Sequence, residues 1–213
     1  MSSTVTIVDY GSGNIFSVAR ALEHCGATVK ISEDPTEIEN AERLLLPGVG
    51  AFGDGMRGLR ERQLIAPIQA YAASGRPLLG ICLGMQMLAS MSTEFGEHEG
   101  LQLIPGTVMQ IPKTTLDGHP QRIPHIGWCE LQAPPGVDWR QTALTGLMPQ
   151  ESVYMVHSFH LHPSDNADLL AVCEYGGHMI TAAVMRGNVM GVQFHPEKSA
   201  RAGLRLLSHF IQS

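Results

Sequence analysis

The sequence has no cluster of basic residues. Its 14 Lys and Arg are scattered among 20 Asp and Glu, giving a formal charge of −6. Neutralising a run of phosphates takes grouped cations, so a general nucleic-acid binder is excluded. No CxxC pair occurs among the 4 cysteines, Cys25, Cys82, Cys129 and Cys173, which argues against a zinc site or a thioredoxin motif. The first residues carry no basic and apolar leader, so the thiols are expected to be reduced and the protein soluble and cytoplasmic. The longest nearly apolar stretch, Leu78 to Ala89, is too short and too interrupted by glycine to span a bilayer. Neither a low-complexity segment nor a charge run marks a linker, and residues 1–213 are read as a single domain.

What is present is a chain with 44% hydrophobic residues, enough to bury roughly 70% of its unfolded surface without staples. Its first half alternates strand-like and helical patterns. Strands are expected at Thr4 to Asp9, Thr28 to Ser32, Arg43 to Leu46 and Pro77 to Ile81. Helices are expected from about Asn14 to Gly26, between Asp54 and Ser74, and from Met85 to Met91. Such alternation predicts a parallel sheet with helices on both faces. Beyond about Gly100 the segments turn strand-like: Gly106 to Ile111, Arg122 to Leu131, Ser152 to His160, Leu169 to Tyr175, and Met179 to Phe194 bent at Arg186-Gly187-Asn188. These predict antiparallel hairpins added to the core. A closing helix follows Ser199 as its cap, with Leu204, Leu207, Phe210 and Ile211 on one face. The expected fold is an α/β three-layer sandwich with a mostly parallel central sheet and extra antiparallel strands in the C-terminal half.

Within that frame Gly80-Ile81-Cys82-Leu83-Gly84 sits where a strand gives way to a helix. Glycines two residues either side of Cys permit a nucleophile elbow, which exposes the thiol at the carboxyl end of the sheet, near a helix N-terminus whose partial charge favours thiolate. Taken alone, Cys82 could equally be a small buried core residue. Far downstream, Gly191-Val192-Gln193-Phe194-His195-Pro196-Glu197 supplies an imidazole and a carboxylate. Pro196 holds His195 extended, and strand alternation would put His195 and Glu197 on one side, where the carboxylate fixes the tautomer of a general base.

A third stretch, Leu44 to Gly53, breaks from a strand into Pro47-Gly48-Val49-Gly50. Its backbone N–H groups at Val49 and Gly50, with that of Leu83, could form an oxyanion hole. Gly48-x-Gly50-x-x-Gly53 also matches a dinucleotide fingerprint, which expects an acidic residue at the end of the next strand, where this chain has Cys82. The histidines of His157-x-x-His160-x-His162 could suit zinc, but in one strand His160 and His162 share a face and His157 takes the other. No metal site is expected.

The pair Gly80-Ile81-Cys82-Leu83-Gly84-Met85-Gln86 and His195-Pro196-Glu197 resembles the triad class of glutamine amidotransferases. Within that class the stretches Asp9 to Asn14, Pro47 to Gly50, Pro124 to Trp128, Val156 to Ser158 and Gly191 to Lys198 look like the glutaminase subunits of imidazole glycerol phosphate synthases. The resemblance runs from Val8 to the C-terminus. It implies that Cys82 attacks the glutamine side-chain carbonyl, that His195 passes the proton to ammonia, and that Glu197 orients His195. Gln86 and Glu94 would hold the α-groups of glutamine, aided by backbone around Ser158 and Phe159, with Gly50 closing over the amide.

The same resemblance implies a heterodimer with a TIM-barrel cyclase that receives the ammonia in histidine biosynthesis, with no cofactor on this chain. Trp128, Tyr154 and Lys198 would lie at the cyclase face; on residue type alone, Trp128 and Tyr154 could equally be core aromatics. The chain departs from the family pattern at Cys129, usually Asn, and at Phe159-His160, where the first position commonly carries an aromatic hydroxyl. A paralogous glutaminase feeding another acceptor, or a thiol hydrolase of the same fold, is the alternative reading.

Overall fold

Residues 3–11 and 13–213 are described by the computed structural model; Ser12, inside the Asp9 to Asn14 stretch, lies outside them. In chain order the elements begin with β1 (Thr4–Val8), α1 (Ile15–His24), β2 (Thr28–Ser32), α2 (Pro35–Glu39) and β3 (Arg43–Leu46). They continue through α3 (Phe52–Glu61), α4 (Ile65–Ala73), β4 (Leu78–Ile81), α5 (Leu83–Met87), β5 (Ala89–Ser92) and β6 (His98–Glu99). The second half supplies β7 (Ile104–Gln110), β8 (His125–Gln132), β9 (Ser152–His157), β10 (Phe159–Pro163) and β11 (Leu169–Tyr175). It ends with β12 (His178–Arg186), β13 (Val189–Val192) and α6 (Ala200–Gln212).

The large sheet has the order β2-β1-β3-β4-β13-β12-β11-β8-β9. From β2 to β13 its pairs are parallel, and from β13 outward to β9 they are antiparallel. Continuous apolar runs such as Leu44-Leu45-Leu46 suit the parallel half because both of its faces are covered. One face carries α1 and α6: Ile15, Val18, Ala19 and Leu22 follow helical spacing and pack in the same core as Leu206, Leu207, Phe210 and Ile211. The other face buries Phe52, Met56, Leu59, Ile68 and Met85, together with Ala89, Ile104, Val108 and Leu161 of a smaller sheet ordered β10-β7-β5-β6. The three-layer α/β sandwich is therefore as the alternation implied. Among the described residues no helix is long and apolar enough to cross a membrane.

Several sequence expectations are corrected. The helix expected over Met85 to Met91 ends at Met87, and the chain turns into β5. The amides of Leu101, Gln102 and Leu103 bond the carbonyls of Met87, Ala89 and Leu88, so those acceptors are taken by another segment and the helix cannot propagate. The strand expected from Ser152 to His160 is two strands in two sheets, broken at Ser158, whose carbonyl accepts from Ile111 N. Met179 to Phe194 is likewise two strands, turning at Gly187 as its residues suggested. The expected strand from Arg122 starts only at His125.

α2 was not foreseen, although Asp34 before Pro35 is a legible start signal: its carboxylate accepts from the amides of Thr36 and Glu37. Ser199 stands at the start of α6 but makes no side-chain cap. Its hydroxyl instead donates to His195 O at 2.7 Å and accepts from Tyr154 N at 3.0 Å.

Candidate active site

Three neighbouring parallel strands, β3, β4 and β13, deliver Pro47 to Gly50, Cys82, and Gln193 to His195 at their carboxyl ends. Crevices of open α/β sheets form at such ends. The break at Ser158 brings a fourth segment across from the antiparallel side. Together they enclose a cavity of about 310 Å³ lined by Val49, Gly50, Cys82, Leu83, Gln86, Glu94, Pro124, Val156, His157, Ser158, Phe159 and His195. That size is at the small end for ligand pockets, fitting an amino acid. Apart from Glu197, which lies behind His195, every residue expected for nucleophile, base, oxyanion hole and glutamine contact is on this wall.

Cys82 has φ 53 and ψ −110, a conformation costly to a residue with a side chain, as at a nucleophile elbow. Its amide is held by Val192 O at 2.8 Å. The flanking glycine Gly84 is required by close approach: a Cβ there would lie 1.8 Å from Leu46 O, a backbone atom that cannot swing away. Gly84→Ala is therefore expected to destabilise the fold by about 3 kcal/mol or more, as overpacking at rigid sites does. Thermal unfolding would show it as a clear drop in Tm, and an unchanged Tm would refute the packing account.

Cys82 is 7% exposed, and its sulfur accepts from Gln193 Nε2 at 3.7 Å and faces Val156 O at 4.0 Å. His195 and Glu197 are brought together by a 3-10 turn over Pro196–Lys198, not by the strand alternation expected of them. His195 is extended, as Pro196 dictates. Its Nδ1 donates to Glu197 Oε1 at 2.8 Å, with both side chains almost wholly buried. The same oxygen accepts from Asn14 Nδ2 at 2.6 Å. Sequence reading missed Asn14 and Gln193 as individuals, although both lie inside stretches that it quoted.

Burial alone would hold the His195 imidazole neutral. The Cys82 thiol and the Glu197 carboxylate outweigh it and lift the pKa to about 9. The Nε2 atom has no partner within hydrogen-bond distance, yet the Cys82 side chain is near enough to raise the imidazole pKa. Because the folded value lies above the ordinary 6.5, this group adds stability below pH 6.5 that is lost as the pH rises through about 9. Substituting Cys82→Ala or Glu197→Gln removes a raising contribution and leaves burial in place, so the imidazole pKa should fall. NMR titration of His195 checks this, and an unmoved pKa in both variants would sink the pairing.

On the glutamine side, Glu94 is buried and accepts from Phe52 N at 2.6 Å; burial raises its pKa, with that amide opposing. The Gln86 NH2 donates to Phe159 O at 2.9 Å and Gln193 Oε1 at 3.0 Å. Opposite, the Leu83 amide donates to Gly48 O at 3.3 Å, so one expected oxyanion donor is occupied by the loop expected to assist it. Tyr10 anchors that loop through its hydroxyl to Pro47 O at 2.9 Å. Gly50 has φ 103, which glycine adopts freely and other residues do not. Of the glycines that mimic a dinucleotide fingerprint, Gly48 is packed under Tyr10 and Gly53 against the His98 ring, whereas a Cβ at Gly50 would meet open space.

The histidine run is divided between the sheets, His157 in β9 and His160 with His162 in β10. His157 is held neutral, its pKa near 3, mainly by burial. Its Nδ1 faces Phe159 O at 2.9 Å and its Nε2 faces His125 Nδ1 at 3.3 Å, which makes it donor to the first and acceptor from the second. Among the described residues no three potential ligands group around a metal position. Trp128 is 57% exposed and stacks edge-on with Tyr154 at 6.1 Å, so Trp128 is not a core aromatic; Lys198 is exposed as well.

Residues 6–212 match the family described as glutamine amidotransferase class-I. The chain is 51% identical over 211 residues to imidazole glycerol phosphate synthase subunit HisH 1 of Legionella pneumophila strain Paris, covering 99% of each. It is 43% identical over 209 residues to the HisH subunit of Syntrophotalea carbinolica, covering 97% of this chain and 98% of that one. Among solved structures it is similar to PurLQS from Thermotoga maritima, with a TM-score of 0.74 at 20% identity, covering 100% of this chain and 98% of that chain. At that identity the likeness concerns the fold alone.

Proposed function

The chain belongs to the class-I glutamine amidotransferase family, and on that premise we propose that it is the glutamine-hydrolysing subunit of an imidazole glycerol phosphate synthase. In this reading it works in the cytoplasm as a heterodimer with a TIM-barrel cyclase and passes ammonia to it. The observation that carries the chemistry is the meeting of Cys82 with the buried His195–Glu197 pair at one small cavity.

Cys82 Sγ attacks the side-chain carbonyl of glutamine while His195 Nε2 holds the proton. Glu197 keeps the other imidazole nitrogen protonated and Asn14 keeps Glu197 in place. His195 then protonates the departing nitrogen, ammonia leaves, and water hydrolyses the thioester to glutamate. With its NH2 already committed, Gln86 would meet the α-amino group of glutamine through its oxygen, and Glu94 would add charge on the same side. The oxyanion needs the Leu83 N–H, which requires the Gly48–Val49 peptide to turn over. Rotation withdraws the Gly48 oxygen and brings the Val49 N–H round in its place. Cyclase docking at Trp128, Tyr154 and Lys198 would couple to that rotation.

The test is glutamate release by the purified chain, alone and with the cyclase plus its nucleotide substrate. A large rise needing both supports the reading. Steady hydrolysis indifferent to the cyclase would point to a paralogous glutaminase serving another acceptor.

A further inference from the structure

The bond from His195 Nδ1 to Glu197 sets the rotation of the imidazole, but it leaves open what holds the main chain that carries the ring. β13 ends at Val192, so His195 lies beyond its last paired residue. Support comes from β9, at the far edge of the large sheet with β12, β11 and β8 in between. The His195 amide donates to Tyr154 O at 3.1 Å. The return bond passes through a side chain: the Tyr154 amide donates to Ser199 Oγ at 3.0 Å, and that hydroxyl donates to His195 O at 2.7 Å. Facing residues of an antiparallel ladder exchange two direct N–H···O bonds. Here one is direct and the other has a hydroxyl inserted, which a group that both donates and accepts can do and an alkyl side chain cannot.

Ser199 stands where a helix cap would, yet its hydroxyl caps nothing and the residue is buried. Its main chain is fixed on both sides, the amide donating to Pro196 O and the carbonyl accepting from Gly203 N, each at 3.1 Å. A Cβ at Gly203 would lie 1.9 Å from Pro196 O, so the first turn of α6 presses directly on the 3-10 turn. The bridging hydroxyl has little room to drift.

We propose that Ser199 is a positioning residue for glutamine hydrolysis, its hydroxyl bridging Tyr154 to His195 so that the imidazole stays beside Cys82. The inference rests on the reading of Cys82, His195 and Glu197 as the triad. Without the hydroxyl, the Tyr154 amide loses its acceptor and His195 O keeps only the Lys198 amide, at 3.0 Å. The base is then free to move off the sulfur, and a displacement of about 1 Å costs about 10²-fold in rate.

The experiment compares Ser199→Ala and Ser199→Thr with the parent chain, by glutaminase kinetics with the cyclase and its nucleotide substrate and by NMR titration of His195 in the chain alone. Ser199→Ala should lower kcat by about 10²-fold and leave KM for glutamine within about two-fold, the mark of a loss felt in the reaction and not in binding. The His195 pKa, about 9 in the parent, should fall toward 6.5 as the raising contact with Cys82 weakens. Ser199→Thr, which keeps the hydroxyl, should recover both. Parental kcat and titration in Ser199→Ala, or a lower Tm with neither of them moved, would overturn the proposal. Absence of hydrolysis in the parent would count against the triad reading instead, and the titration would still decide on the bridge. If Ser199→Ala does not fold, Ser199→Cys, a weaker donor, replaces it, and parental kcat and titration in that variant would equally overturn the proposal.

Discussion

Cys82→Ala is expected to lower glutamine-dependent synthesis by the complex by roughly 10⁶-fold, the scale on which removal of an enzymic nucleophile acts. Ammonia-dependent synthesis should survive at close to its normal rate. Cys82 is the one thiol among the residues that line the cavity, and Gln193 and Val156, which contact its sulfur, carry no nucleophile. Ammonia supplied from solution enters downstream of the glutaminase step, so it does not need Cys82. The substitution also relieves the φ of 53 at this position by no more than a thiol's worth of bulk, so the elbow backbone should persist. The measurement is cyclase product formed with glutamine and, separately, with ammonium salt at alkaline pH. Equal loss of both would assign Cys82 to folding or docking.

The second large effect concerns the Gly48–Val49 peptide. With the Leu83 amide bonded to Gly48 O, the oxyanion hole proposed above is short of one donor in the isolated chain, and one missing donor costs about 10²–10³ in rate. Adding the cyclase loaded with its nucleotide should therefore raise glutamate release by about that factor. Gly50→Ala places a side chain at φ 103 and should hold the loop in one state, leaving stimulation within a few-fold of none while the subunits still associate. Glutamate release by the isolated chain at the full rate of the complex would refute this gating.

How far the sequence told this story depended on the range of the interactions. The parallel half was readable because Leu44-Leu45-Leu46 and the Ile15, Val18, Leu22 spacing are local patterns that the core merely accepts. Met85 to Met91 misled because the helix is ended by amides of residues 101–103, which no local pattern announces. Ser158 was invisible for the same reason, since the break depends on two sheets competing for one segment. In the site, Cys82, His195 and Glu197 were legible as residue types at telling positions. The means of joining His195 to Glu197 was not: a 3-10 turn does by curvature what a strand would have done by alternation. Asn14 needs a left-handed backbone, φ 72, to reach Glu197, and that conformation is set by the fold around it.

The placement of β13 between β4 and β12 also bears on how the protein is made. Gln193 and Cys82 meet across 111 residues, and Asn14 and Glu197 across 183. On the ribosome, the elbow at Cys82 emerges long before β13 and the His195 that follows it, and the central sheet stays open until that strand slots in. Closing such distant contacts comes late and slowly in folding. On the proposed triad a growing chain would therefore release no ammonia, and the arrival of activity in a refolding experiment would mark the completion of the whole sheet.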